Sequence, residues 1–347
     1  MIQFRPIFFA LLTLVAAITS GWSVSATGLP LGWLIGAMLF VVAASILKLP
    51  VVQPTLLVPY VKAAVGTMLG ASIPTNIVEL AIAWWPSLLM MFGVLIVGGA
   101  INYNCLHRVF KFPKIDALLC SMPGGISEMI LLGEHAGADQ RRVAIVHALR
   151  IAMSILLIPL LAGLVFGVSI EGATTAAPTH MNLPDWGWFA LCVVAGVAAD
   201  RWLRIPAALI LVPMVVSAAL HLSQASAFHV PSEVSIAIQV TIGINVGARF
   251  LGVSIAMLAG FALSAIVVVA IQIGFAISTA TLMATQGSWD GLALTLAYAP
   301  GGLAEMSLIA ITMGREVALV ACHHILRVLF ALFAAPPLVS LSTKRPK

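Results

Sequence analysis

The sequence predicts an all-α polytopic membrane protein built from two inverted repeats, and three observations lead there. Of 347 residues, 61% are hydrophobic and 8% charged, whereas a soluble domain carries about 25% charged residues; the mean hydropathy is +1.12. One stretch occurs twice: Met122-Pro123-Gly124-Gly125-Ile126-Ser127-Glu128-Met129 returns, 177 residues on, as Pro300-Gly301-Gly302-Leu303-Ala304-Glu305-Met306. That offset runs without a gap from Pro123 and Pro300 to Pro159 and Pro336, with 13 of 37 aligned positions identical, so one half of the chain duplicates the other. Each copy also breaks an apolar run with Pro-Gly-Gly and a carboxylate. Non-helical backbone at membrane depth is tolerated only when buried in protein or lining a watery cavity.

Runs near the ~20 residues needed to cross a bilayer give six segments per half. Residues 6–24 form the first. Arg5, that run and Val24-Ser25-Ala26 could pass for a signal peptide with its cleavage site, but the segment before Pro30 has a counterpart before Pro206, so it is expected to stay as a helix. The second segment, 31–47, matches 206–222, with Met214 standing for Met38. The third, 57–75, carries Gly66 and Gly70, which align with Gly243 and Gly247 in 234–251; small-xxx-small faces of this kind pack helices closely. The fourth, 83–104, empties into the basic loop His107, Arg108, Lys111 and Lys114, which should face the cytoplasm. The fifth is the broken one. The sixth runs 143–166.

The positive-inside rule decides whether the fifth segment crosses. If it crosses, Arg141, Arg142, Arg201 and Arg204 all fall outside. If it dips in and returns, these and Arg249 fall inside, and a re-entrant second copy adds Lys344, Arg345 and Lys347. Only Arg315, beside Glu316, is then a positive loop residue outside. The expected fold therefore has five transmembrane helices plus one re-entrant hairpin in each repeat, with both termini in the cytoplasm. The odd number of crossings inverts the second repeat. Residues 1–170 form the first repeat, 171–185 an external linker and 186–347 the second repeat.

The chemistry is expected at the two breaks. After Gly125 and Gly302 a helix restarts, presenting free N–H groups and a positive dipole end, a ready anion site; Pro123 and Pro300 end the descending arms without needing a donor. Gly124 and Gly301 let a ligand approach the backbone closely, although a plain structural kink explains the same residues. Glu128 and Glu305 fall in the first turn of the returning helix, as caps or as carriers of a coupling ion, because a carboxylate at membrane depth is costly and functional by default. His147 and Arg150 align with His324 and Arg327, each pair on one helix face. The arginines either pair with Glu128 and Glu305 or bind an anionic substrate. Ser127 beside Glu128, against Ala304 beside Glu305, makes the first hairpin the richer polar site expected. Asn245 and Arg249 could add polar contacts. Cys105, Cys120, Cys192 and Cys322 have no metal-ligand spacing and read as small core residues. His323 and His324 are adjacent and point to different faces, so no metal is expected.

The twin PGG-x-x-E-M motifs, the H-x-x-R after each and the two-fold duplication resemble the bacterial AbrB family of membrane proteins, over nearly the whole chain. The small soluble DNA-binding regulator of the same name is unrelated to it. Members are labelled regulators of gene expression or ammonia monooxygenases, and neither label follows from these residues. The resemblance implies an inverted-repeat fold similar to that of cation/proton antiporters and bile-acid and glutamate symporters, and a fold does not fix a substrate.

The leading expectation is an ion-coupled secondary transporter for a small, anionic solute in the bacterial inner membrane, not an enzyme, with the solute at the hairpin tips. No cofactor is expected beyond a coupling proton or Na⁺. The expected partners are the lipid bilayer and the solute; a homodimer stays open, and no basic run with aromatics supports nucleic-acid binding. The alternative is a membrane-embedded sensor or regulator of gene expression that acts through a partner. An ammonia-oxidising enzyme would need a copper or iron site, and no ligand cluster offers one.

Overall fold

Each apolar run becomes helix. The computed structural model describes residues 4–167, 181–203, 207–287 and 289–343, with no strand among them. The first half gives α1 (Phe4–Ser25), α2 (Gly32–Ile46), α3 (Val58–Ala71), a short α4 (Ile77–Ala83) and α5 (Trp85–Asn104), which widens into a π-helical turn, Cys105–Val109. Then come α6 (Lys114–Ser121) and α7 (Ile126–Ala136), flanking the first Pro-Gly-Gly, and α8 (Gln140–Phe166). The second half gives α9 (Leu183–Leu203), α10 (Ala208–Leu222), α11 (Ser232–Gly247), α12 (Ile255–Thr285), α13 (Gly291–Tyr298), α14 (Leu303–Thr312) and α15 (Val317–Thr343). At the 177-residue offset α13 lies on α6 and α15 on α8, end for end. Equivalent sequence stops equivalent helices: Gly137 and Gly314, which also align, both take positive φ (74° and 61°) just past α7 and α14, a conformation that glycine adopts without strain.

Among the described residues, five helices are both long and apolar enough to cross a membrane: Phe8–Ser25, Trp85–Val109, Gln140–Phe166, Ile255–Thr285 and Val317–Ser342. The second and third segments of each half are shorter than expected, at 15 and 14 residues for α2 and α3 and 15 and 16 for α10 and α11. They are also richly buried, and a helix enclosed by protein need not match the thickness of the lipid. Residues 171–180 of the expected linker lie outside the described residues, as do 168–170, Arg204, Pro206, Ser288 and 344–347, several of which carry the expected topology.

The chain forms two compact units, and each draws on both halves. The first comprises Met1–Leu80, Val168–Gly252 and Ser307–Ala318; the second comprises Ala81–Gly167, Val253–Met306 and Leu319–Lys347. In the first, α2 packs on α1 and α11, and α3 on α10 and α9. Its glycines explain the closeness. A Cβ on Gly66 or Gly70 would strike the carbonyl oxygens of Ile210 and Met214, and one on Gly243 or Gly247 would strike those of Leu34 and Met38. Leu34 and Met38 are the sequence counterparts of Ile210 and Met214, so the contact between the halves is made twice, with roles exchanged. This is the close-packing use of small-xxx-small faces.

In the second unit α12 packs on α5, α8 and α13, and α7 on α8. Leu106, Leu119, Met129, Val146, Val268 and Val339 form part of its core. The base of the first hairpin is tied by charge. Asp116, 2% exposed in the first turn of α6, forms an ion pair with Arg142 on α8 and accepts a hydrogen bond from the Asp139 N–H (3.1 Å). Arg142 also lies over the rings of Phe112 and Phe261, at 5.0 and 5.7 Å. At the other hairpin Asp290 caps α13, accepting from Leu292 N (2.9 Å) and Ala293 N (3.2 Å).

Candidate functional site

All the hairpin residues singled out in the sequence lie in the second unit, and its structure accounts for the motif letter by letter. α6 ends at Ser121, and Met122 is extended (φ −75°, ψ 144°); Gly125 is extended too (φ −69°, ψ 151°) and serves as the N-cap of α7. Neither value needs glycine, so space rather than backbone freedom explains these residues. A Cβ on Gly124 would meet the side chain of Met129, with Sδ at 3.0 Å, and one on Gly301 would meet Met306, with Sδ at 2.8 Å. A Cβ on Gly125 would fall on the carboxylate of Glu128, and one on Gly302 on that of Glu305. The first glycine therefore admits the methionine, and the second admits the glutamate folded back over its own helix start. That is the reach of an N3 carboxylate in a capping box, at the positive end of the helix dipole. The room that the sequence assigns to a ligand at these glycines is taken by the motif's own side chains.

The arginines hold backbone. Arg150 donates from Nη1 to Met122 O (2.8 Å) and from Nη2 to Gly124 O (3.2 Å). Arg327 donates in the same way to Ala299 O and Gly301 O, the equivalent atoms of the second hairpin. One turn earlier, the Nε2–H of His147 donates to Leu119 O (3.0 Å) and that of His324 to Leu296 O (2.9 Å); His324 Nδ1 accepts from Arg327 Nη2 (2.8 Å). Each H-x-x-R is thus a clamp on the last turn of a descending arm, where helix carbonyls lack partners and a cation is favoured. Both guanidinium groups are buried, at 4% and 3% exposure. Arg327 also lies in the electrostatic field of both Arg150 and Glu305.

The two carboxylates differ, and not in the direction expected. Ser127 and Glu128 are exposed, whereas Glu305 is 7% exposed. The hydroxyl next to Glu128 does not enclose it, whereas Glu305 is enclosed. Burial therefore makes Glu305 the more enclosed of the two carboxylates.

The hairpins meet. Ser154 Oγ on α8 lies 2.7 Å from Pro300 O, so the helix that clamps the first hairpin also bonds the second. Ser121 and Pro123 of one break share a cavity of about 30 Å³ with Tyr298, Pro300 and Arg327 of the other. Gln272 of α12 completes its polar wall. Asn245 belongs to the first unit, where its Oδ1 accepts from Gln53 Nε2 (2.6 Å).

Sequence reasoning missed Ser154, Gln272 and Tyr298. Gln272 had a signal, since it is a lone amide within a 31-residue apolar helix, and polar groups at such depth are rarely idle. Ser154 stands four residues after Arg150, on the same face. No group of three His, Cys, Asp or Glu residues able to hold a metal occurs among the described residues.

The family described as "Transition state regulatory protein AbrB" matches residues 33–342. The chain is 24% identical over 354 residues to "Uncharacterized protein YhjN" of Bacillus subtilis (strain 168), covering 92% of this chain and 90% of the relative. It is 26% identical over 331 residues to "Putative regulator AbrB" of Escherichia coli (strain K12), covering 93% of each. The family span takes in both Pro-Gly-Gly hairpins with their arginine clamps and both glycine-packed helix pairs. The chain belongs to the AbrB family, as an all-helical protein of the membrane.

Proposed function

We propose that this protein is a proton-coupled secondary transporter for a small anionic solute in the bacterial inner membrane, with the two Pro-Gly-Gly breaks as its binding site. On this reading the hairpins are re-entrant, the two halves are inverted, and the five long helices together with the shorter ones make up ten crossings. The observation that carries the proposal is the convergence of both breaks, through Pro123 and Pro300, on one small cavity with Arg327 and Gln272 on its wall, while each break carries a carboxylate folded over the helix start that follows it. A helix N-terminus attracts anions, and here a resident carboxylate already occupies that position. An incoming anion competes with it. Protonating Glu305 removes the competing charge and leaves the dipole end to the solute, which couples anion entry to a proton without any cofactor or enzymatic step.

Reconstitution into proteoliposomes tests this, with labelled acetate, octanoate, succinate and glutamate as probes. Uptake should follow an inward proton gradient and collapse with an uncoupler. Glu305→Gln, near-isosteric, should abolish the gradient dependence, while Glu128→Gln retains a measurable part. No uptake of any probe by protein that is folded would sink the transporter reading.

A regulatory role is the second reading, favoured by the description of the family and by the printed name of the Escherichia coli relative. It requires a soluble partner to carry the signal. Altered transcription on deletion, unchanged by Glu305→Gln, would favour it.

A further inference from the structure

A second cavity adjoins the small one. It has a volume of about 300 Å³ and is lined by α5, the first hairpin and α15, through Ile96, Tyr103, Leu118, Phe330 and Leu338 among others. Leu95, Gly99, Ser121 and Pro123 line both cavities. The larger space is mainly apolar, with Tyr103, Asn104 and Ser121 as its polar lining residues, and lies at the lower end of the ~300–1,000 Å³ typical of small-molecule sites. Ile96 and Leu338 on its wall are themselves exposed, at 60% and 42%.

The smaller cavity supplies the polar end. Arg327, 3% exposed, lines it and has an Nε–H with no hydrogen-bond partner; Gln272 Oε1 is likewise buried and unpartnered. Buried polar atoms of this kind are normally satisfied. At about 30 Å³ the space admits one water or a headgroup of a few atoms, and no more. The cationic wall, from Arg327, favours an anion. The sequence counterpart of Gln272 is Leu95, so the duplication has kept one polar and one apolar wall, and the apolar side opens toward the larger cavity.

We infer that the solute is an amphipathic monocarboxylate, its head in the small cavity at Arg327 and its tail in the larger cavity alongside Gly99. This rests on the hairpin tips being an anion site, and it narrows the solute to one chemical class. A short hydrophilic dianion leaves the apolar cavity unused, and a neutral lipid tail leaves Arg327 Nε unpaired.

Gly99 makes the test clean, because a Cβ built there meets nothing within 4 Å; the same is true of Gly93, on the same helix and outside both cavities. Binding of labelled octanoate is measured on protein in nanodiscs, with empty nanodiscs subtracted. Saturable binding is expected. It should be weakened at least tenfold by Gly99→Leu, by less in Gly99→Ala, and left unchanged by Gly93→Leu, with thermal unfolding checked for each variant. 1-Octanol at equal concentration should not compete. If succinate binds and octanoate does not, or if Gly99→Leu leaves octanoate binding intact, the amphipathic assignment falls and the anion site stands. Equal competition by octanol would show a generic lipid pocket and overturn the assignment. If no anion binds to folded protein, both readings fall together.

Discussion

Glycine at positions 125 and 302 leaves room for one group, a carboxylate three residues on. Gly302→Ala places a methyl where Glu305 now lies, so the carboxylate must swing out or the hairpin must shift. Overpacking of this kind costs about 1–3 kcal/mol. A lower unfolding midpoint is therefore expected for Gly302→Ala, and a smaller drop for Gly125→Ala, because Glu128 is exposed and can move aside. Equal shifts in thermal unfolding would contradict the difference in burial. The motif itself was plain in the sequence, as were the H-x-x-R pairs and the fact that each pair shares a face. What the arginines touch was not. Opposite charges suggest a partner by name, Glu128 for Arg150 and Glu305 for Arg327, whereas a backbone carbonyl at the end of a helix leaves no letter to read.

The hairpin and the helix behind it form the next scale. Arg142 counts in the sequence as one more positive loop residue, yet it is the tie between α8 and the buried Asp116 at the root of the first hairpin. Arg142→Ala leaves a carboxylate enclosed without its counter-charge. The expected loss is about 3 kcal/mol, the lower end for orphaning a buried charge, since 22% of the Arg142 side chain remains accessible. Asp116→Asn in the same background should restore part of it, as measured by a double-mutant cycle on thermal or denaturant unfolding. Additive losses would mean that the pair is not coupled. The short helices of the first unit were legible in another way: Gly66, Gly70, Gly243 and Gly247 marked close packing, and all four are pressed against a neighbouring backbone. Their length was not legible, because apolar residues that face protein and apolar residues that face lipid look alike in sequence.

At the scale of the whole chain, the duplication predicts repeats and the structure gives two units that each combine both halves. Contacts in such a protein run between the second segment of one half and the third of the other, α2 with α11 and α3 with α10, so a boundary drawn where the sequence repeats does not coincide with a boundary in space. The inversion proposed for the two halves makes a topological prediction. Single cysteines at Lys111 and Gln286, both exposed, should react with a membrane-impermeant probe from opposite sides in sealed vesicles, on a background in which the four native cysteines are replaced. Labelling of both from one side would remove the inverted arrangement and, with it, the meeting of two hairpins from opposite faces.

The arginine clamps carry one more consequence. A dissolved metal ion that neutralised the ends of the hairpin arms would come and go with the medium, and the arms would loosen each time it left. Arg150 and Arg327 do that work as covalent residents. The shape of the tips is therefore indifferent to the salts around the cell. Exchanging sodium for potassium or choline should leave the melting temperature of the purified protein where it was, and a melting temperature that does climb with sodium would reveal a cation held somewhere other than at these clamps.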